Sequence, residues 1–329
     1  MSNNESENTT IVVEEKMNSM LVRLGVLGGL LMLSLFVFNS SIFTIESTTA
    51  VATPVKALPT LISPFEHVTV EAKAAYVYDV VNEEILFAKN ERSQLPLASV
   101  TKLMTALVAS ELISEGTIIT IGEDSVAVDG DNGFHVDEHW KFKDLLDYTL
   151  LVSSNDGAHA IASVAGSFST DTAQSLEGKS SNQIFIDKMN QTAVSLGLTQ
   201  SYFINESGLD RSTLVGGGYG SARDIASLLA YIIFNRPGLL EATAYENLNF
   251  ISEDQFVYNA TNTNSAVGNI PGLLASKTGY TDLAGGNLAI AFDAGINHPI
   301  VAVVLGSSFE GRFRDIEKLV DASLEEMAQ

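Results

Sequence analysis

The sequence predicts an α+β fold (a mixed α/β chain) in which one antiparallel sheet is flanked by helices and carries an inserted all-helical region. Three observations lead there. Short segments rich in Val, Ile, Tyr and Phe lie at the two ends of the folded part. Apolar residues recur at helical spacing throughout its middle, and no internal repeat is present. Strands at both ends with helices between them suggest a sheet closed by the two ends of the chain, with a functional cleft expected between sheet and insertion.

The chain divides into a polar tail at 1–19, an apolar segment at 20–45, a linker at 46–65 and a folded domain at 66–329. Leu24 to Phe38 runs without a charge. With Met20 to Val22 and Ile42 to Ile45 added, the segment is long enough for a hydrocarbon core of ~30 Å. Lys16 and Arg23 flank it on one side and Glu46 on the other, so an N-terminal membrane anchor with the folded domain outside the cytoplasm is expected. Ala50-Val51-Ala52 keeps open the alternative of a cleaved signal segment. Ser47 to Pro64 is small, Thr- and Pro-containing, and reads as a tether.

In the folded part, Lys73 to Val80 and Glu84 to Ala88 read as a strand hairpin about Asn82. Ser99 to Ser114 follows with helical spacing, with Pro96 ahead of it and Gly116 past its end. Lys141 to Val152, Asp156 to Ala165, Ile184 to Leu196 and Ala222 to Phe234 are further helices, and Ser167 to Gln183 reads as a loop. Leu273 to Thr281, Asn287 to Phe292 and Ile300 to Leu305 are strand-like, and Arg312 to Met327 closes the chain as an amphipathic helix.

Charge narrows the function. Eighteen Lys and Arg against 40 Asp and Glu give a formal net charge of -22. Nucleic acid is excluded as a partner, because phosphate binding needs a basic footprint. An anionic substrate would need local positive charge inside this acidic envelope. With no cysteine, thiolate chemistry, disulfides and Cys-bearing zinc sites are excluded too. His135 and His139 lie near Asp129, Asp131 and Asp137, but the spacing fits no calcium loop, and a solvated acidic loop is expected.

Three clusters carry chemistry. Ser99 and Lys102, at i and i+3, share a helix face and come within reach of one another. A serine hydroxyl needs a neighbouring base, and a desolvated lysine can serve. Ser99 as a helix N-cap is the plainer alternative. Ser153-Ser154-Asn155 falls between two helices, where a hydroxyl and a carboxamide are presented, although an N-cap explains it as well. Lys277-Thr278-Gly279 lies in a strand. Its Lys and Thr suit a carboxylate, and its Gly lets a backbone pass close. Each cluster alone is weak. The S-x-x-K, S-x-N and K-T-G trio in this order, each in its proper setting, is a strong signature of penicillin-binding proteins and class A β-lactamases.

From about Ala74 onward the chain resembles the low-molecular-mass D-alanyl-D-alanine carboxypeptidases. LPLASVTKLMTALVA, LLVSSNDGAHAIA, FIDKMNQTAVSLGLTQSYFINESGLD, GSARDIASLLAYI and KTGYTDLAGGNLAI carry the resemblance. It implies a transpeptidase-like fold and assigns roles residue by residue. Ser99 would be the nucleophile, Lys102 its base and Ser153 a proton relay. Asn155 would hold the substrate amide, while Lys277, Thr278 and Arg312 would bind the terminal carboxylate. Gly279 would admit the substrate backbone, and the N–H groups of Ser99 and Tyr280 would form the oxyanion hole. The substrate would be a peptidoglycan stem peptide, β-lactam antibiotics would acylate the same serine, and no cofactor or metal is implied.

Arg314 is read as a solvated neighbour of Arg312, Trp140 as core, and Glu206 and Asp210 as loop braces. Glu246 to Asn249 superficially resembles a class A β-lactamase element but lies too close to Lys277. The chain stops soon after the final helix, so the extra C-terminal β domain of many relatives is expected to be missing. A crosslink-cutting endopeptidase and a silent wall-binding protein remain the alternatives.

Overall fold

Alternation of buried side chains along two central strands decides the architecture. The computed structural model describes residues 63–130, 132–169 and 178–329. Its main sheet pairs β1 (Ala74–Asp79) with β2 (Glu84–Lys89). Near the C-terminus, β10 (Leu273–Thr281), β11 (Gly285–Asp293) and β12 (Pro299–Ser307) add to it, in the order β10-β11-β12-β1-β2. Every pairing is antiparallel, and β12 against β1 joins the two ends of the folded part. Along β12, Val301, Val303 and Leu305 enter one core while Ile300, Ala302 and Val304 enter another. Ala289 and Ala291 of β11 alternate with Leu288, Ile290 and Phe292 in the same way. Successive strand side chains point to opposite faces, so a sheet buried on both faces needs apolar residues at every position.

The second face is covered by α7 (Gly311–Met327), whose Phe313, Ile316, Leu319 and Val320 recur at helical spacing. Asp315 of that helix is fully buried and accepts from the backbone N–H groups of Glu71 and Ala72, each at 2.8 Å, and from Ser307 Oγ at 2.8 Å. Phe65, inside the expected linker, belongs to the same core, so ordered chain begins ahead of residue 66.

The first face carries the helical region. Its centre is α1 (Lys102–Leu112), with Lys102 through Ala109 all buried. Around it lie α3 (Phe142–Val152), α4 (Asn155–Ser167), α5 (Ser181–Ser195) and α6 (Ala222–Asn235), with one-turn α2 (Glu123–Val126) between. Short strands complete the fold. β4 (Ile118–Thr120) pairs with β5 (His139–Lys141), and β8 (Asn247–Ile251) with β9 (Val257–Thr261). β3 (Leu95–Pro96) and β6 (Tyr202–Phe203) both pair with β7 (Gly218–Gly220).

Two boundaries differ from expectation for identifiable reasons. Helix α5 starts at Ser181, not Ile184, because Ser180 caps it through a bond from the Gln183 N–H. The expected helix at Ser99 opens as a 3₁₀ turn, Ala98–Thr101, before the α-helix begins. Among the described residues no helix is long and apolar enough to cross a membrane, and the expected anchor at 20–45 lies outside them.

Candidate active site

Ser99 sits on a turn that the sheet holds in place. Leu97 donates its N–H to the Gly218 carbonyl at 2.9 Å. Asn287 of β11, fully buried, donates its carboxamide to the Pro96 carbonyl at 3.0 Å and accepts from the Gly306 N–H at 2.7 Å. Ala98 takes a left-handed φ of 47°, uncommon for a residue with a side chain, so the backbone is strained immediately before Ser99. On the other side β10 passes very close. A Cβ on Gly279 would lie 2.8 Å from the Leu97 carbonyl oxygen and 3.1 Å from the Ser99 and Val100 nitrogens.

The 3₁₀ turn places Ser99 one turn before Lys102, and Lys102 Nζ lies 3.0 Å from Ser99 Oγ. The same amine donates to Asn155 Oδ1 at 2.8 Å and to the Ser207 carbonyl at 2.9 Å. Lys102 is only 1% exposed and, among the described residues, makes no ion pair. Burial brings its amine down from the usual lysine range to about 7, against an opposing pull from Glu206 and Asp156.

Ser153 closes α3 in a left-handed conformation, φ 65° and ψ 34°. Ser154 then caps α4 by accepting from the Gly157 N–H at 2.9 Å. With that duty on Ser154, Ser153 and Asn155 are released for other partners. Asn155 donates its amide to the Asp129 carbonyl at 2.8 Å, which fixes Oδ1 toward Lys102. Ser153 Oγ accepts from Lys277 Nζ at 3.0 Å.

Lys277 and Gly279, two apart on β10, share the face that meets the Ser99 turn. Lys277 is 1% exposed, and its second bond goes to the Thr278 carbonyl at 3.1 Å. Burial, then the charges of Lys102 and Arg312, hold its amine well below the usual lysine range. Thr278 Oγ1 lies 2.6 Å from Thr263 Oγ1. Arg312 donates to the Gly279 carbonyl at 2.8 Å and stacks over Phe309, while its buried Nε has no hydrogen-bond partner among the described residues. Burial lowers it to about 10. Tyr280, half exposed, meets Phe309 edge-on. A serine beside a buried, easily neutralised amine, with two further buried cations nearby, is equipped for acyl transfer from an anionic substrate.

Residues 61–308 match the family model described as D-alanyl-D-alanine carboxypeptidase. The chain belongs to this family. It is 30% identical over 260 residues to D-alanyl-D-alanine carboxypeptidase DacF of Bacillus subtilis, covering 76% of this chain and 61% of that protein. It is 31% identical over 305 residues to DacD of Escherichia coli, covering 87% of this chain and 69% of that protein. The chain thus spans between about three fifths and about two thirds of the length of these relatives. Among solved structures it resembles penicillin-binding protein D2 of Listeria monocytogenes in its ampicillin-bound form. There the TM-score is 0.61 at 26% identity, over 78% of this chain and 98% of the other.

In this member of the carboxypeptidase family the structure brings together Ser99, Lys102, Ser153, Asn155, Lys277, Thr278, Gly279 and Arg312 by the contacts given above. Arg314 points elsewhere, pairing with Glu71 at 2.8 Å. His135 stacks on Phe256 and His139 pairs with Asp254, while Asp131 lies outside the described residues. Trp140 is fully buried and donates to Glu138 at 3.0 Å. Sequence reasoning missed Asn287, Thr263 and Ser207. Ser207 and Asn287 lie within stretches that carry the resemblance, but their partners are more than a hundred residues away, and Thr263 sits in an unremarked loop, so no spacing assigns any of them a role.

The close approach at Gly279 yields an expectation about stability. Gly279→Ala should lower the thermal unfolding midpoint, at a cost of about 1–3 kcal/mol, because the obstructing atoms are backbone and cannot rotate away. Circular dichroism melting checks it, and an unchanged midpoint would contradict the packing described.

Proposed function

We propose that this chain is a serine-type D-alanyl-D-alanine carboxypeptidase that removes the terminal D-alanine from peptidoglycan stem peptides through an acyl-enzyme on Ser99. The observation that carries the reading is the set of partners around Lys102 Nζ. Asn155 Oδ1 and the Ser207 carbonyl can only accept, so they take the two N–H bonds of the neutral amine. Its lone pair then faces Ser99, the one partner able to donate. With the amine near neutral at about 7, the serine proton has a receiver.

In the first step Ser99 Oγ attacks the carbonyl carbon of the scissile amide as its proton passes to Lys102. Negative charge gathers on the carbonyl oxygen, toward the N–H groups of Ser99 and Tyr280. The carbon–nitrogen bond then breaks, the leaving nitrogen takes a proton relayed through Ser153, and D-alanine departs. Water attacks the ester, gives its proton to the base and restores Ser99. The substrate amide lies against Asn155, its backbone runs past Gly279, and its carboxylate is received by Lys277, Thr278 and Arg312. β-Lactams would acylate the same serine, a reading supported by the ampicillin-bound relative. No step calls on a cofactor.

The uncharged run Leu24 to Phe38 supports an extracytoplasmic domain held by a membrane anchor at 20–45. Alkaline extraction of membranes should leave the chain in the pellet, and release into the supernatant would favour a cleaved segment.

Incubated with a pentapeptide stem, the purified full chain should release one alanine, and Ser99→Ala should reduce that release by at least about a thousandfold. Mass spectrometry follows the products. Cleavage of a crosslinked dimer alone would make the protein an endopeptidase. Inertness toward both, with no penicillin adduct on Ser99, would leave the wall-binding alternative. The acylation rate should rise with pH through about 7, since Lys102 accepts a proton only once it has lost its own. Labelling rates across pH measure this, and a flat profile would exclude Lys102 as the base.

A further inference from the structure

One pair, a buried glutamate and a partly buried histidine, stands behind Lys102 and is absent from the steps above. Glu206, only 5% exposed, lies in the loop 205–209, and His159 lies on α4. His159 Nδ1 is 2.7 Å from Glu206 Oε1. The same loop supplies two bonds to α1. The Glu206 carbonyl accepts from Thr105 Oγ1 at 2.6 Å, and the Ser207 carbonyl accepts from Lys102 Nζ at 2.9 Å. A side-chain pair between α4 and the loop therefore anchors the loop carbonyl that orients the amine.

We propose that His159 and Glu206 form a positioning pair for Lys102, pinning the loop that holds its amine and setting by their net charge how tightly that amine keeps its proton. The inference rests on the reading of Lys102 as the base for Ser99.

The charges around both members are few. Lys102 faces Glu206 from the loop, Asp156 from α4 and Lys277 from β10. His159 faces Glu206, and Asp124 of α2 at 3.6 Å, with the neutral Asn182 of α5 donating to its carbonyl at 3.2 Å. The bond to Glu206 is the largest influence holding His159 above the usual histidine range. While the imidazole is protonated, the pair is close to neutral as Lys102 senses it. Once the imidazole loses its proton, Glu206 stands as an uncompensated carboxylate and Lys102 binds its own proton harder. Either member alone thus moves the amine in a direction set by the charge it leaves behind.

The test is the second-order rate at which a fluorescent penicillin labels the purified full chain, followed across pH. Glu206→Gln leaves the imidazole without its counter-charge, so its acid limb should move to lower pH, with labelling at about pH 6 faster than the parent by on the order of threefold. His159→Gln leaves the carboxylate bare and should move the limb the other way by a similar factor. His159→Lys keeps a cation and should return the limb toward the parent. Thermal midpoints identify any variant that fails to fold, and the remaining two still decide the sign. Limbs that coincide with the parent, or that all shift one way in step with lost stability, would overturn the pair's role. A parent that takes no label, or shows no acid limb, would remove the reading of Ser99 and Lys102 and the pair's role with it.

Discussion

The site depends on one costly constraint: two lysine amines are buried in a single cluster without an ion-paired carboxylate among the described residues. An ammonium taken out of water loses several kcal/mol of solvation unless a partner replaces it. Here the replacements are neutral: hydroxyls, a carboxamide and backbone carbonyls. Such partners satisfy N–H bonds without stabilising charge as strongly as a carboxylate. The consequence is a pair of amines displaced toward neutrality, which a surface lysine, hydrated and free to turn, would not undergo.

Holding those neutral partners at hydrogen-bond distance demands backbone conformations that an unconstrained chain avoids. Ala98 and Ser153 both adopt positive φ although each carries a Cβ, and they lie next to Ser99 and at the end of α3. Conformations of this kind cost of order 1–3 kcal/mol each and persist only where the surroundings enforce them. The enforcement is visible. Asn287 fixes the chain before Ser99 to the sheet, and the Ser154 cap starts a new helix immediately after Ser153. Strain and the chemically loaded side chains share the same few residues because the partners of Lys102 and Lys277 come from four separate stretches of chain.

The elements were legible in the sequence where a periodic pattern had room to repeat. β10 runs from Leu273 to Thr281 as read, and α7 begins one residue before Arg312. The two-residue strands and the β8–β9 hairpin were not read, since pieces so short owe their pairing to tertiary neighbours rather than to a pattern. The site followed the same rule. Ser99 and Lys102 announce themselves at i and i+3, and Lys277 to Gly279 sit in one strand. The Ser154 cap shows why a motif with two readings can satisfy both, with one serine capping and its neighbours left for chemistry. Glu206 was read as a loop brace and does brace one, but its partner His159 is 47 residues earlier, beyond the reach of any local spacing.

The same constraint reconciles an acidic protein with the anionic ligand proposed for it. A net charge of -22 keeps the surface unattractive to carboxylates, so attraction must come from cations that the surface charges do not neutralise. Lys277 and Arg312 meet that condition by being buried, where screening by salt is weak. Arg312 Nε has no partner among the described residues, and Lys277 is held below its usual range by burial and by the neighbouring positive charges. In the proposed reaction an arriving carboxylate would supply the missing counter-charge and restore the proton affinity that burial removed. On the proposed function, a carboxylate-bearing ligand would offset the cost of burying Lys277 and Arg312, which would favour ligands ending in a carboxylate over amides of the same shape.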